Sequence, residues 1–283
     1  MKDFQKIISF LIVTLLFVFS SFRSEALIFQ SVASGNFNTL IWNQPGLYPT
    51  TGDTVVINTG TTVTIVGFNT DVLGSVTINS GGNLTIANNA VAQLIFAGDL
   101  VVSGTLINNG RIDMTVPGNF FLGNGAVYDH NPRINIAVDE KVFENGVENI
   151  SPSSTLIIRK WASTALPLIG PTRITSDIGN LVTSVPGTAW EQKGQFSPNR
   201  IKGSLLVTDG ILRMDDGSGS TTTLTLNDVT LRGNSAIIFQ EGNNRNLTLT
   251  MGNFTDSSTL ATQPTIIMNM SLGTLNLTVN GNF

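Results

Sequence analysis

Cysteine is absent from the chain and histidine occurs once, at His130. Without cysteine there are no disulfides, no thiol chemistry, no cysteine-ligated metal and no lipid-modified N-terminal cysteine. The common catalytic zinc sites, which need several His, Cys or carboxylate ligands at set spacings, are excluded too. One histidine leaves a serine triad a single candidate base, and no Gly-x-Ser-x-Gly elbow accompanies it. His130, within YDHNPR, reads as a loop residue. Phosphate-cradling and dinucleotide-binding glycine motifs are missing as well.

Charge is also scarce. Charged residues make up 12% of the chain, against about 25% in ordinary domains. The formal net charge of −4 gives no overall basic footprint, so nucleic acid is not an expected partner. Beyond the first residues no apolar run is long enough to span a membrane, and none is expected to do so. An exported animal chain of this length usually carries disulfides, so the lack of cysteine favours a bacterial extracellular protein.

The N-terminus supports export. Lys2 and Lys6 form a basic start, Ile7 to Val18 is almost unbroken apolar sequence, and Ser24-Glu25-Ala26 sets small residues at the −3 and −1 positions of a cleavage site. Residues 1–26 are therefore predicted to be a helical signal peptide, with an extracellular or cell-surface location for the remainder. The apolar run falls short of the ~20 residues of a spanning helix and ends at Arg23 and Glu25.

Gly, Thr, Asn and Ser fill the polar positions in place of charge. The stretch SVTINSGGNLTIA, Ser75 to Ala87, shows the unit. Two four-residue runs alternate apolar residues with Thr or Asn, as strands with one buried face require. Between them lies a Ser-Gly-Gly-Asn turn that permits positive φ. Two such strands cannot bury a core alone, and they recur along the chain. Apolar centres follow at Leu94 to Phe96, Leu100 to Val102, Thr105 to Ile107, Ile112 to Met114 and Phe120 to Leu122, with glycines at the turns. The prediction is an all-β, single-stranded, right-handed parallel β-helix (a β-solenoid) with three faces per coil of about 20 to 25 residues. A Greek-key sandwich is the rival. Against it, Gly-Asn-Phe recurs at Gly118 to Phe120, Gly252 to Phe254 and Gly281 to Phe283, as though one corner were repeated level by level.

Residues 27–66 are assigned to an N-terminal cap and first coil, with Trp42 as the plug over the open core and a sugar-stacking platform of Trp42 and Tyr48 as the competing role. Residues 67–150 are β-helix coils. Residues 151–200 form an irregular, Pro-rich insertion: Pro152, Pro167, Pro171, Pro186 and Pro198 lie there with Trp161, Trp190 and several cations. Proline cannot donate to a central ladder, so broken strands and protruding loops are expected. Coils resume over residues 201–283. No cap follows the last unit, so further chain or an end-to-end contact is expected at the C-terminal coil.

The order Ser-Gly-Asn-Phe, Trp42, proline, Gly52-Asp53-Thr54-Val55, Gly60, Val63-Thr64-Ile65 and then SVTINSGGNLTI resembles the opening of secreted, adhesin-like bacterial proteins that use the type IX export machinery. In that group a Trp-Pro-Gly-Asp segment leads into parallel β-helix coils of the form LTVNGNF. The likeness spans about Ser34 to Asn124 and the tail from Leu247. It implies a fold and a compartment, and transfers no catalytic residue. The sorting domain usual at the C-terminus of that group is absent from this sequence.

Chemistry is sparse. Polysaccharide cleavage needs only two carboxylates, or Asp-bound calcium with a basic residue. Asp129, Asp139, Glu140, Glu144, Asp215 and Asp216 are the acids available, and spacing gathers none of them on one coil face. Asp215 and Asp216 read as a turn, with calcium the alternative there; no other cofactor is implied. The function predicted is a passive structural or adhesion module without catalytic activity, meeting extracellular polysaccharide or a host or neighbouring cell surface. One alternative is a carbohydrate-binding module using Trp42, Tyr48, Trp161 and Trp190 as stacking surfaces. A polysaccharide lyase or glycoside hydrolase is the second.

Overall fold

A computed structural model describes residues 25–115, 118–133, 147–160, 177–191, 201–213, 222–241, 247–259, 266–269 and 275–282. Residues 1–24 of the predicted signal peptide, 1–26, lie outside these residues. Every strand-to-strand ladder is parallel and no helix occurs among the described residues, so the fold is a parallel β-solenoid. None of its helices is long and apolar enough to cross a membrane, since the described residues contain none.

The coils that start at Val76 and Leu100 each carry three faces. Face I stacks Ile28–Gln30, Thr54–Ile57, Val76–Ile78, Leu100–Val102, Asn119–Leu122 and Val147–Ile150. Face II starts from Gly35–Asn36 and Thr62–Ile65, continues through Asn83–Ile86, Thr105–Asn108, Val127–His130 and Thr155–Ile158, and belongs to an eleven-stranded sheet. Face III pairs Gln93–Phe96 with Arg111–Met114. The two runs of SVTINSGGNLTIA thus sit on faces I and II and pair with their coil neighbours: Val76 with Leu100, Asn83 with Thr105. Gly81, at φ 74°, turns the corner between them, and the Gly82 N–H returns to the Asn79 carbonyl at 2.8 Å.

Alternation does what the sequence requires. In Asn83–Ile86 and Thr105–Asn108 the second and fourth residues are buried and the others half-buried. Val55, Ile57, Val76, Ile78, Leu84, Ile86, Leu100 and Leu106 are fully enclosed. Each such aliphatic side chain contributes about 1.5–3 kcal/mol on burial.

The later coils differ in one respect. Asn180–Glu191, Leu205–Arg213 and Val229–Glu241 each run on from face II through the next corner as one long strand, with register shifts where the corner falls. Asn180 continues the ladder from Thr155, while Ala189, Ile211 and Ala236 carry a separate ladder beyond the shift. The Pro-rich segment therefore supplies two rungs, Thr155–Ile158 and Asn180–Glu191. Pro186 falls between Ser184 and Ala189, where the register breaks and a missing N–H costs no ladder bond. Strands Thr222–Leu226, Leu247–Met251 and Leu275–Val279 form a further three-stranded ladder.

The Gly-Asn-Phe repeat is not a single corner. Gly252 and Gly281 are stacked, with the Gly281 N–H on the Gly252 carbonyl at 3.0 Å, just ahead of Phe254–Ser258. Gly118 instead precedes the face I strand Asn119–Leu122 and packs on Gly98. What recurs is the chemistry of a glycine-Asx corner. It suits any corner where two coils approach so closely that a Cβ on the upper glycine would meet the lower carbonyl.

Candidate functional site

The aromatic residues predicted to stack on sugars do not share one environment. Trp42 is only 4% exposed; its ring meets Phe37 and Phe29 edge-on, with centroids 5.1 and 6.3 Å away, and its indole N–H donates to the Phe37 carbonyl at 2.9 Å. In this arrangement Trp42 offers no ring face to a ligand. Tyr48 is 45% exposed. Trp190 lies in strand Asn180–Glu191, its backbone level with Leu212, and its side chain is outside the described residues, as is all of Trp161. Asp215, Asp216, Asp139, Glu140 and Glu144 are also outside them. Among the described residues no three His or acidic side chains come together as a metal site.

His130 is not in a loop. It ends strand Val127–His130, fully buried, with its Nδ1 3.3 Å from the Tyr128 hydroxyl. The apolar-polar alternation places it inward, where the next corner begins.

The outward row of face II is where the solenoid departs from its own pattern. Registers align Thr64, Thr85, Ile107, Asp129, Ile157, Val182, Leu206, Thr230 and Thr255 in one column. Threonine at both ends gives way to aliphatic residues in the middle, and Asp129 sits between Ile107 and Ile157. A carboxylate flanked by aliphatic side chains loses hydration and needs a partner. Arg159 supplies one: its Nε–H lies 2.9 and 2.8 Å from the two Asp129 oxygens. Asp129 is thereby paired and held in place.

Arg159 belongs to a group of cations at the corner between faces II and III. The Arg133 N–H donates to the Gly110 carbonyl at 3.1 Å, which sets Arg133 directly over Arg111 on the coil before. On the following coil Lys160 places its ammonium on the Arg133 carbonyl. Two acids accompany these four cations. Asp113 lies 3.6 Å from Arg111 and also accepts from Gln93, and Asp129 holds Arg159. Asparagines fix the corner itself: Asn131 donates to Asn109 at 2.8 Å, and the Asn108 side chain accepts the Gly110 N–H at 3.1 Å.

The cations of the Pro-rich segment, Arg159 and Lys160 among them, and the acid Asp129 were noted from the sequence, but not this grouping with Arg111 and Arg133. Arg133 stands one coil above Arg111 through the bond to the Gly110 carbonyl, a pairing set by the length of that particular coil. A hollow of about 270 Å³ is lined by Ile201, Lys202, Thr225 and Asn227. Lys202 faces Asp177 at 3.8 Å beside it.

Compared with protein-family models, curated proteins and solved structures, the chain finds no match in any of the three.

Proposed function

We propose that the chain is an exported or cell-surface, right-handed parallel β-helix that acts as a passive structural and adhesion module. The observation that carries this reading is where the polar side chains spend their hydrogen bonds. Asn79 donates to Asn58, Asn119 to Asp99, Asn131 to Asn109, Ser204 to Asn180 and Asn253 to Asp228, each reaching the coil before it. Side chains committed to holding neighbouring coils supply rigidity and reach, and leave loops and outward rows to make contacts. The right hand follows from the preference of parallel crossovers.

The N-terminal segment is read as a cap. Gln30 and Val32, on the outer edge of face I, are bonded by Asn43 and Ile41, which satisfies an edge that would otherwise invite pairing with another chain. Export with cleavage after Ala26 is supported by the seat that Leu27 occupies. Its backbone N–H donates to Asp53 Oδ1 at 2.8 Å, while Thr50 donates to Oδ2 through its N–H and its hydroxyl. Hydrolysis of the Ala26–Leu27 bond adds water across it and leaves an ammonium in place of that N–H, against a carboxylate already built to receive it.

Two measurements test this. Secreted protein should begin at Leu27 by intact mass, and beads coated with it should be retained on cells or extracellular matrix over beads carrying an unrelated β-solenoid. Retention no better than the control would overturn the adhesion role, and a steady fall in viscosity of a polysaccharide solution would overturn passivity.

A further inference from the structure

We infer that the corner formed by Arg111, Arg133, Arg159 and Lys160 is a binding site for an acidic polysaccharide that runs along the solenoid axis. The inference rests on the adhesion reading and names its ligand class. Arg133 stands over Arg111 at the rise of one coil, about 4.8 Å. Like charges set directly opposite on neighbouring strands are destabilising, so the pair works against the fold it sits in. The chain as a whole has more acids than bases, 19 against 15, and could have neutralised the corner. Among the described residues it does so only partly. Neither the Arg133 guanidinium nor the Lys160 ammonium meets a carboxylate among the described residues. Arg159 gives only its Nε–H to Asp129, leaving the two Nη groups at the end of the fork without a hydrogen bond among the described residues. Its side chain remains 46% exposed.

The spacing selects the ligand. A chain of linked uronic acids carries one carboxylate on each ring, so its charges repeat at about one ring length, comparable with the rise of one coil. Guanidinium forks match planar carboxylates. The half-buried aliphatic residues Ile107 and Ile157 flank Asp129 beside the cations and offer a surface for the C–H faces of the rings. Single-stranded nucleic acid would also meet the cations, but such sites pair a basic groove with exposed stacking aromatics, and the described residues of this corner present none.

The test uses the full secreted chain and sodium polygalacturonate, with three comparisons: its methyl ester, which keeps the backbone and removes the charge, single-stranded oligo(dT), and a salt series. Binding to polygalacturonate should weaken as salt rises and exceed binding to the ester by about tenfold or more. Replacing Arg133→Gln and Lys160→Gln together should weaken it about tenfold, while Lys202→Gln, on another corner, leaves it unchanged. Thermal melting checks that the variants fold, and the two single substitutions, each expected to give a smaller loss, stand in if the pair does not. Equal binding of acid and ester, or an unaffected Arg133 and Lys160 variant, would overturn the site. Tighter binding of oligo(dT) at the same salt would overturn the polysaccharide assignment in favour of nucleic acid. Bead retention on cells that persists after any of these failures leaves the adhesion reading intact and removes only this ligand.

Discussion

One carboxylate oxygen of Asp99 accepts two hydrogen bonds from Asn119, the backbone N–H at 2.9 Å and the side-chain amide at 2.9 Å, and so ties one coil to the next. Asp228 holds Asn253 the same way, at 3.0 and 2.8 Å. The two clamps sit at different corners and in different solvent: Asn119 is half-buried, Asn253 exposed. A bond to a charged acceptor is worth about 1.5–3 kcal/mol when water does not compete. Asn119→Ala should therefore lower stability by about 1.5 kcal/mol and Asn253→Ala by well under 1 kcal/mol, read from urea unfolding curves. Equal losses at the two positions would mean that the clamps are interchangeable surface contacts.

Glycine at the corners answers to two separate physical demands, and alanine substitutions distinguish them. A Cβ on Gly104 would lie 2.2 Å from the Gly82 carbonyl oxygen and 2.4 Å from that of Asn79, both backbone atoms that cannot swing aside. Gly125 has nothing within 4 Å and is strained only by its φ of 69°. Gly125→Ala should cost about 1–2 kcal/mol, the usual penalty for a left-handed residue. Gly104→Ala should cost about 3 kcal/mol or more and leave little soluble protein. Thermal melting of both variants checks the order, and a Gly104→Ala melt matching that of Gly125→Ala would contradict the steric account.

Much of this was legible in the sequence because period-two alternation is a local property: Val76–Ile78 and Asn83–Ile86 announce their buried faces without reference to any other coil. Corner glycines were legible for the same reason. The cation group was not, because coil length varies. Ser75 to Asp99 spans 24 residues, Asp99 to Asn119 spans 20, and Asn253 to Asn282 spans 29. With no fixed period, the residues that stand above one another cannot be read off by counting. The same variation hid the difference between the Gly118 and Gly252 corners. His130 was misread because its polarity outweighed its place in the alternation; Tyr128, two residues earlier and equally buried, marks the inward phase.

Trp42 and Tyr48 lie six positions apart and should behave as opposites. Removing a buried ring that packs on Phe29 and Phe37 leaves a cavity, so Trp42→Ala is expected to cost about 3–5 kcal/mol. Trp42→Phe keeps a ring but leaves the Phe37 carbonyl without its donor, at about 1 kcal/mol. Tyr48→Ala should change stability by no more than about 0.5 kcal/mol. If Trp42→Ala unfolded no more easily than Tyr48→Ala, the closing role of Trp42 would be lost.

The ion pair of Asp129 and Arg159 makes an asymmetric prediction. The Asp129 side chain is 12% exposed and flanked by Ile107 and Ile157, whereas that of Arg159 is 46% exposed. Removing the cation strands a poorly hydrated carboxylate; removing the anion leaves a guanidinium that water can still reach. Arg159→Gln should therefore destabilise by about 1–3 kcal/mol, and Asp129→Asn by less than about 1 kcal/mol, because a half-exposed partner is already screened. The double variant should recover most of the Arg159→Gln loss, since no charge is then left unpaired. Asp129→Asn should also free the Arg159 Nε–H and add a cation to the corner, raising affinity for polygalacturonate as stability falls slightly. A catalytic carboxylate would behave in the reverse way, its loss abolishing activity with little change in binding. Denaturation of the three variants, combined with the polygalacturonate salt series, therefore separates an anchoring carboxylate from a reactive one.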